Sequence, residues 1–334
     1  MKITVMGSGS WGTALGNVLA KNGHDVLIYG INPSEIDDIN NNHKNEKFFN
    51  DVILNPQLKA STDLNDGLGA DVFLLAVPSI AIESICQQLN QVLDHPVYII
   101  NVAKGFHPVS HKYLMDVIEE TIDPKLLKAV VSLIGPSHAE EVVIGQLTLV
   151  NAVSKDLDSA EVVQELFSND TFRVYTNDDV VGAQIGVAIK NIIALASGVT
   201  SGLGYGDNTR AALITRGLAE MSRYGMYFGG RLDTFLGLCG VGDLVVTATS
   251  EHSRNFQAGY EVAKSGNADN FNQNNKKTVE GVVAAKIVYE EALKHNIEMP
   301  ITEQVYQVFY ENKNPETAIN ELMTRELKHE NYKK

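Results

Sequence analysis

Apolar positions along this chain fall into two regimes. Up to about residue 177, short continuous apolar runs alternate with longer stretches of helical spacing; beyond it the short runs largely stop. The runs predict strands over 2–6, 25–29, 71–78, 97–102, 129–134, 148–153 and 172–176, and the stretches between them predict helices over 13–22, 79–93 and 157–167. The run from Val72 to Val77 has no polar position, as expected of a strand covered on both faces. Such alternation gives a mostly parallel sheet with helices on both faces. Ligands of these sheets lie at the C-terminal ends of the strands.

The second regime opens on 180–196, which is apolar on nearly every helical face and is therefore predicted to be a buried helix. Asn177 and Asp178 are expected to supply its N-cap. Lys190 and Asn191 stand in its middle. A lysine there must reach solvent, pair with an acid, or lower its pKa; the last two are how enzymes obtain a proton donor near neutral pH. The plainer alternative is a helix end from which Lys190 reaches water. Residues 198–206 read as a glycine-rich bend, 267–277 as a polar surface loop, and 209–228, 256–265, 282–295, 302–311 and 315–327 as helices. The expected fold class is α/β: an N-terminal Rossmann-type parallel-sheet domain over 1–177, then an all-helical C-terminal domain over 178–334 that closes over the strand ends.

Length agrees, since 334 residues suit two domains better than one core. A formal net charge of -14 argues against a nucleic-acid partner or an anionic membrane surface, though a few local cations can still receive a small anion. Two cysteines, Cys86 and Cys239, make no disulfide framework, so a reducing cytoplasm is expected. No apolar run is read as long enough to cross a bilayer, and Gly7, Gly9, Gly12 and Gly16 interrupt any signal-peptide core. No membrane insertion and no metal site are expected.

The chemistry is concentrated at the strand ends. Gly7-Ser8-Gly9-Ser10-Trp11-Gly12 follows the first strand and precedes a helix, the required context of a G-x-G-x-x-G dinucleotide turn. The next strand ends Tyr29-Gly30-Ile31-Asn32-Pro33-Ser34-Glu35, with neither a clear acid nor an arginine to grip the adenosine ribose. Asn32 and Ser34 suit either dinucleotide, so NAD and NADP both stay open. Lys104 and the turn Gly135-Pro136-Ser137-His138-Ala139 lie at other strand ends, where ligands bind; by themselves they read more simply as a loop lysine, an ordinary turn and a structural histidine, with a catalytic acid the alternative for His138. Asp243, beside Gly242 and an apolar run, needs a partner if buried, and Lys190 is the obvious one. Ser253-Arg254-Asn255 at a helix start offers a hydroxyl, a guanidinium fork, an amide and free N–H groups to an anion; the alternative is a plain cap with an exposed arginine.

Together these stretches, with Ile189-Lys190-Asn191, Gly242-Asp243-Leu244 and Val279-Glu280-Gly281, resemble the bacterial-type NAD(P)-dependent glycerol-3-phosphate dehydrogenase family over nearly the whole chain. The resemblance implies reversible reduction of dihydroxyacetone phosphate to sn-glycerol 3-phosphate for phospholipid synthesis, in a cytoplasmic homodimer, with the active site in the interdomain cleft. By resemblance Lys190 is the proton donor and acceptor; Lys104 and Asp243 complete its network, with Thr247 an addition to it. Arg254 and Asn255 hold the substrate phosphate, while Gly135, Ser137 and Ser253 line the substrate site. The cofactor is expected on Gly7, Gly9, Ser10, Trp11, Gly12, Lys104, Ala139, Arg254, Thr278 and Glu280. Two positions depart from the pattern: Ile31 stands where many relatives have Arg or His, and His138 where many have an aromatic. The rival readings are a related β-hydroxyacid or ketopantoate reductase and a non-catalytic NAD(P) sensor.

Overall fold

The computed structural model describes residues 1–251, 253–274 and 279–330. Eight strands form one sheet: β1 (Lys2–Met6), β2 (Asp25–Tyr29), β3 (Lys59–Ser61), β4 (Val72–Leu75), β5 (Val97–Asn101), β6 (Leu127–Ile134), β7 (Thr148–Val153) and β8 (Phe172–Asn177). Their order is β3-β2-β1-β4-β5-β6-β7-β8, and every neighbouring pair is parallel except β6 with β7. The strand missed in the sequence, β3, has only three residues and two of them are polar. Helices α1 (Ser10–Lys21), α2 (Pro33–Asp37), α3 (Ile82–Val92), α4 (Leu114–Thr121), α5 (Ala139–Val143) and α6 (Leu157–Phe167) connect the strands. Because side chains alternate along a strand, β4 feeds two cores: Val72 and Leu74 join Val5, Leu15 and Ile28, while Phe73 and Leu75 join Met6, Ile82 and Ile99. That double coverage is why the run reads as wholly apolar.

The long apolar helix is α7 (Val180–Gly202), and it corrects three expectations. Its cap is Asp179: the Gly182 N–H donates to Oδ1 at 2.8 Å and the Arg231 N–H to Oδ2 at 2.7 Å, while Asn177 accepts from the Asp179 N–H. The helix also does not bend at Gly198. A Cβ at Gly198 would strike the Phe256 carbonyl, and one at Gly259 would strike the Leu195 carbonyl. These glycines let two backbones touch, so they are packing positions and not breakers. Finally, with 23 residues α7 is long and apolar enough to cross a membrane by composition, but it is mostly buried inside the protein.

The remaining helices are α8 (Asp207–Tyr227), α9 (Leu232–Leu236), α10 (Asp243–Thr249), α11 (Arg254–Ser265), α12 (Asp269–Asn274), α13 (Glu280–Lys294), α14 (Pro300–Tyr310) and α15 (Pro315–Met323). The loop expected over 267–277 thus contains α12, whose Phe271 packs edge-on against Phe309 at 5.6 Å between ring centres; residues 275–277 lie outside the described residues.

The chain divides into two compact units, residues 1–187 with 225–246, and residues 188–224 with 247–334. This differs from a break at 177/178. Val180, Ala183 and Val187 pack with Cys239 into the core on the Phe73 face of the sheet, so the start of α7 belongs with the sheet. Among the described residues the second unit is entirely helical.

Candidate active site

In the first unit the glycine turn leaves β1 with Gly7 at φ 121°, and a Cβ there would lie 2.6 Å from the Ala76 carbonyl oxygen. A Cβ at Gly12 would strike the Gly7 carbonyl, so α1 begins hard against the turn. Gly9 is open on its Cβ side, with no atom within 4 Å. It caps α1 without a side-chain hydrogen bond, and the first turn carries no acid. The first N–H groups of α1 are therefore available to an anion. Ser10 and Trp11 open the helix, and the Trp11 Nε1 is buried without a hydrogen-bond partner. This donor-rich, uncluttered cradle fits a dinucleotide pyrophosphate.

Lys104 follows β5 on a turn held by the Ala103 N–H, which donates to Asn101 Oδ1 at 3.1 Å. Its Nζ lies 3.8 Å from Oδ2 of Asp243, the first residue of α10. Asp243 is only 1% exposed, so the ion pair addresses the desolvation that burial imposes on a carboxylate. Gly135 follows β6 so close to β7 that a Cβ would sit 2.8 Å from Val150 Cα, and the Ser137 hydroxyl donates back to the Gly135 carbonyl at 3.0 Å. His138 occupies the cap position of α5, and Ala139 begins that helix, buried against α1. Nearby, Asn151 Nδ2 donates to Cys239 Sγ at 3.1 Å; burial pushes the Cys239 thiol up to about 12, which keeps it protonated and inert.

In the second unit Lys190 is 2% exposed. It does not reach water; its Nζ donates to Thr247 Oγ1 at 3.1 Å. Its neighbour Asn191 joins a buried chain: Asn255 Nδ2 donates to Asn191 Oδ1 at 3.0 Å, and the Gly281 N–H donates to Asn255 Oδ1 at 2.9 Å. Three helices, α7, α11 and α13, are thereby held in fixed register around Asn255. Ser253 caps α11 by accepting from the Phe256 N–H at 3.3 Å, while Arg254, the first helical residue, is exposed. Glu280 opens α13 half-buried. Thr278 lies outside the described residues.

The structure thus brings together Lys104 with Asp243, Lys190 with Thr247, and Asn255 with Asn191 and Gly281. It also shows an acid where the sequence suggested none. Asn32 caps α2 and Pro33 occupies its first turn, and this short helix turns Glu35 back toward Ser8 of the glycine turn. The Asn-Pro pair was the available signal, since it marks a helix start just past the strand.

Two family models account for most of the chain: NAD-dependent glycerol-3-phosphate dehydrogenase N-terminus over residues 2–160, and the C-terminus of the same family over 179–320. The chain belongs to this family. It is an oxidoreductase that works with NAD or NADP. A glycerol-3-phosphate dehydrogenase [NAD(P)+] of Streptococcus suis is 46% identical over 330 residues, covering 98% of each chain. The protein of the same name from Listeria monocytogenes is also 46% identical, over 98% of this chain and 97% of its own. The crystal structure of glycerol-3-phosphate dehydrogenase from Coxiella burnetii superposes with a TM-score of 0.87 at 34% identity, covering 97% of this chain and 99% of that one. Ile31 is 88% exposed at the end of β2 and brings no polar group to that edge.

Proposed function

We infer that this chain catalyses the reversible reduction of dihydroxyacetone phosphate to sn-glycerol 3-phosphate, supplying the backbone of phospholipids. The observation that carries the reading is Lys190, a buried amine fixed by Thr247 in a chain whose family membership spans both halves. When bound, the dinucleotide supplies the hydride. Gly7, Gly9, Ser10, Trp11 and Gly12 hold its pyrophosphate through the start of α1, with Lys104, Ala139, Arg254, Thr278 and Glu280 as further contacts.

The chain itself supplies the proton. In reduction Lys190 gives one to the carbonyl oxygen, which becomes the C2 hydroxyl; in oxidation it takes that proton back. Thr247 keeps the amine from rotating freely, so less is lost in orienting it at the moment of transfer. Lys104 and Asp243 complete the polar network around the reacting group. Arg254 offers its fork to the phosphate, and Asn255, already fixed by Asn191 and Gly281, presents its remaining N–H. Gly135, Ser137 and Ser253 line the substrate. These few cations hold a dianion in a protein whose net charge is -14.

We place the enzyme in the cytoplasm, consistent with buried, unbridged Cys86 and Cys239, and as a homodimer. We assign dinucleotide binding to residues 1–177 and catalysis to 178–334; the gap between the family models at 160–179 supports this functional division although packing draws the line elsewhere. The test is the loss of reduced-nicotinamide absorbance with dihydroxyacetone phosphate. Decay is expected, with a matching amount of glycerol 3-phosphate. No decay in protein that binds the cofactor, but turnover of a β-hydroxyacid or ketopantoate, would move the assignment to the related reductases; binding without any turnover would make it a sensor.

A further inference from the structure

The stretch after β2 carries a second message, independent of the proton donor. Glu35 is only 7% exposed, yet it is surrounded by donors. The Ser8 hydroxyl donates to Oε2 at 2.5 Å; Asn32 Nδ2 donates to Oε1 at 2.9 Å and Lys47 Nζ to the same oxygen at 2.6 Å. Ser8 lies between the first two glycines of the dinucleotide turn. Asn45 Nδ2 ties the same segment down by donating to the Ser8 carbonyl and to Thr13 Oγ1, both at 2.9 Å. Glu35 and Asn45 also line a cavity of about 400 Å³ with Ser34, Asp37, Asp38 and Lys47. Three carboxylates therefore face it against one lysine, and that lysine is engaged by Glu35.

The charge on Glu35 is stable. Burial pushes its carboxyl up, but the bonds from Lys47, Ser8 and Asn32 outweigh this and hold it below its ordinary range. At neutral pH it is an anion fixed to the Ser8 hydroxyl of the turn. Dinucleotide folds read the adenosine 2′ position at the end of this strand: an acid favours a free ribose hydroxyl, a base a 2′-phosphate. Position 31, just past the strand, is isoleucine, and the cavity's lysine, Lys47, is engaged by Glu35.

We propose that Glu35, held against Ser8 of the glycine turn, sets the cofactor preference to NAD by opposing the 2′-phosphate of NADP. The proposal rests on the turn being the dinucleotide site. Discrimination then comes from repulsion of the wrong cofactor as much as attraction of the right one.

The experiment is titration of the protein with NADH and with NADPH, followed by nicotinamide fluorescence and so independent of turnover, alongside kcat/KM for each. The wild type is expected to bind NADH about fivefold or more tightly than NADPH, the scale of one like-charge contact at about 4 Å in water. Glu35→Gln keeps the shape, frees Lys47, and is expected to erase most of that ratio by tightening NADPH while NADH changes little. Asp37→Asn, at an exposed position lining the same cavity, is expected to move NADPH the same way by a smaller factor. Equal binding by the wild type, a preference for NADPH, or an unchanged ratio in a folded Glu35→Gln would each overturn the proposal while leaving the dehydrogenase reading intact. Binding of neither cofactor would overturn the dinucleotide site and this proposal with it.

Discussion

Lys190 shows how one side chain suggests a role that its neighbours in sequence do not explain. It sits in an apolar helix where a lysine is out of place, and burial removes the plain alternative of a solvated helix end. Lys190→Ala is expected to lower kcat by ~10²–10⁴-fold, the usual contribution of a positioned acid or base, while NADH affinity by fluorescence titration stays the same. A variant that turns over normally would remove Lys190 from the reaction. The same scale shows where sequence reading stopped. Lys104, Asp243, Asn255 and Ser253 could be singled out because each is a polar residue at a strand or helix end. Glu35 could not, because what makes it informative is Ser8, 27 positions away, and no periodicity records that bond.

At the scale of elements, most strands were legible because a strand covered on both faces needs four or more consecutive apolar residues. What was not legible depended on tertiary packing. Glycine breaks helices by local preference, which is why 198–206 read as a bend; close approach between α7 and α11 reverses that preference. Gly259→Ala puts its methyl against the Leu195 carbonyl, a backbone atom that cannot move aside without shifting α7. The variant is expected to be less stable by about 1–3 kcal/mol, the range for overpacked cores, read from its denaturant midpoint. An unchanged midpoint would mean that the helices separate easily. The cap shift from Asp178 to Asp179 is a lesser case, since acids and amides in succession all satisfy the same sequence rule and only geometry selects among them.

For the molecule as a whole, the pH dependence of folding has an identifiable source in the second unit. Glu220 on α8 is buried and caps α14: the Ile301 N–H donates to it at 2.6 Å, and the Thr302 N–H and hydroxyl each at 3.2 Å. Burial nonetheless dominates and pushes its carboxyl up to about 7 from 4.5. A pKa raised in the folded state means that folding favours the protonated acid. Stability from this group is present below the unfolded value and is lost as pH rises through about 7. The shift corresponds to about 3 kcal/mol between the two limits. Glu220→Gln is expected to flatten the unfolding free energy between pH 4.5 and 7, measured by urea titration at several pH values; a profile as steep as the wild type would place the dependence elsewhere.

The length of α7 bears on how the chain is sorted while it is being made. Before its surroundings fold, a segment of 23 mostly apolar residues carries the same code that insertion machinery reads as a membrane span. Lys190 is the eleventh residue of that segment, next to its midpoint, where a lysine opposes insertion by about 3 kcal/mol. The residue proposed to give the proton therefore also weakens the membrane-span character of the nascent segment.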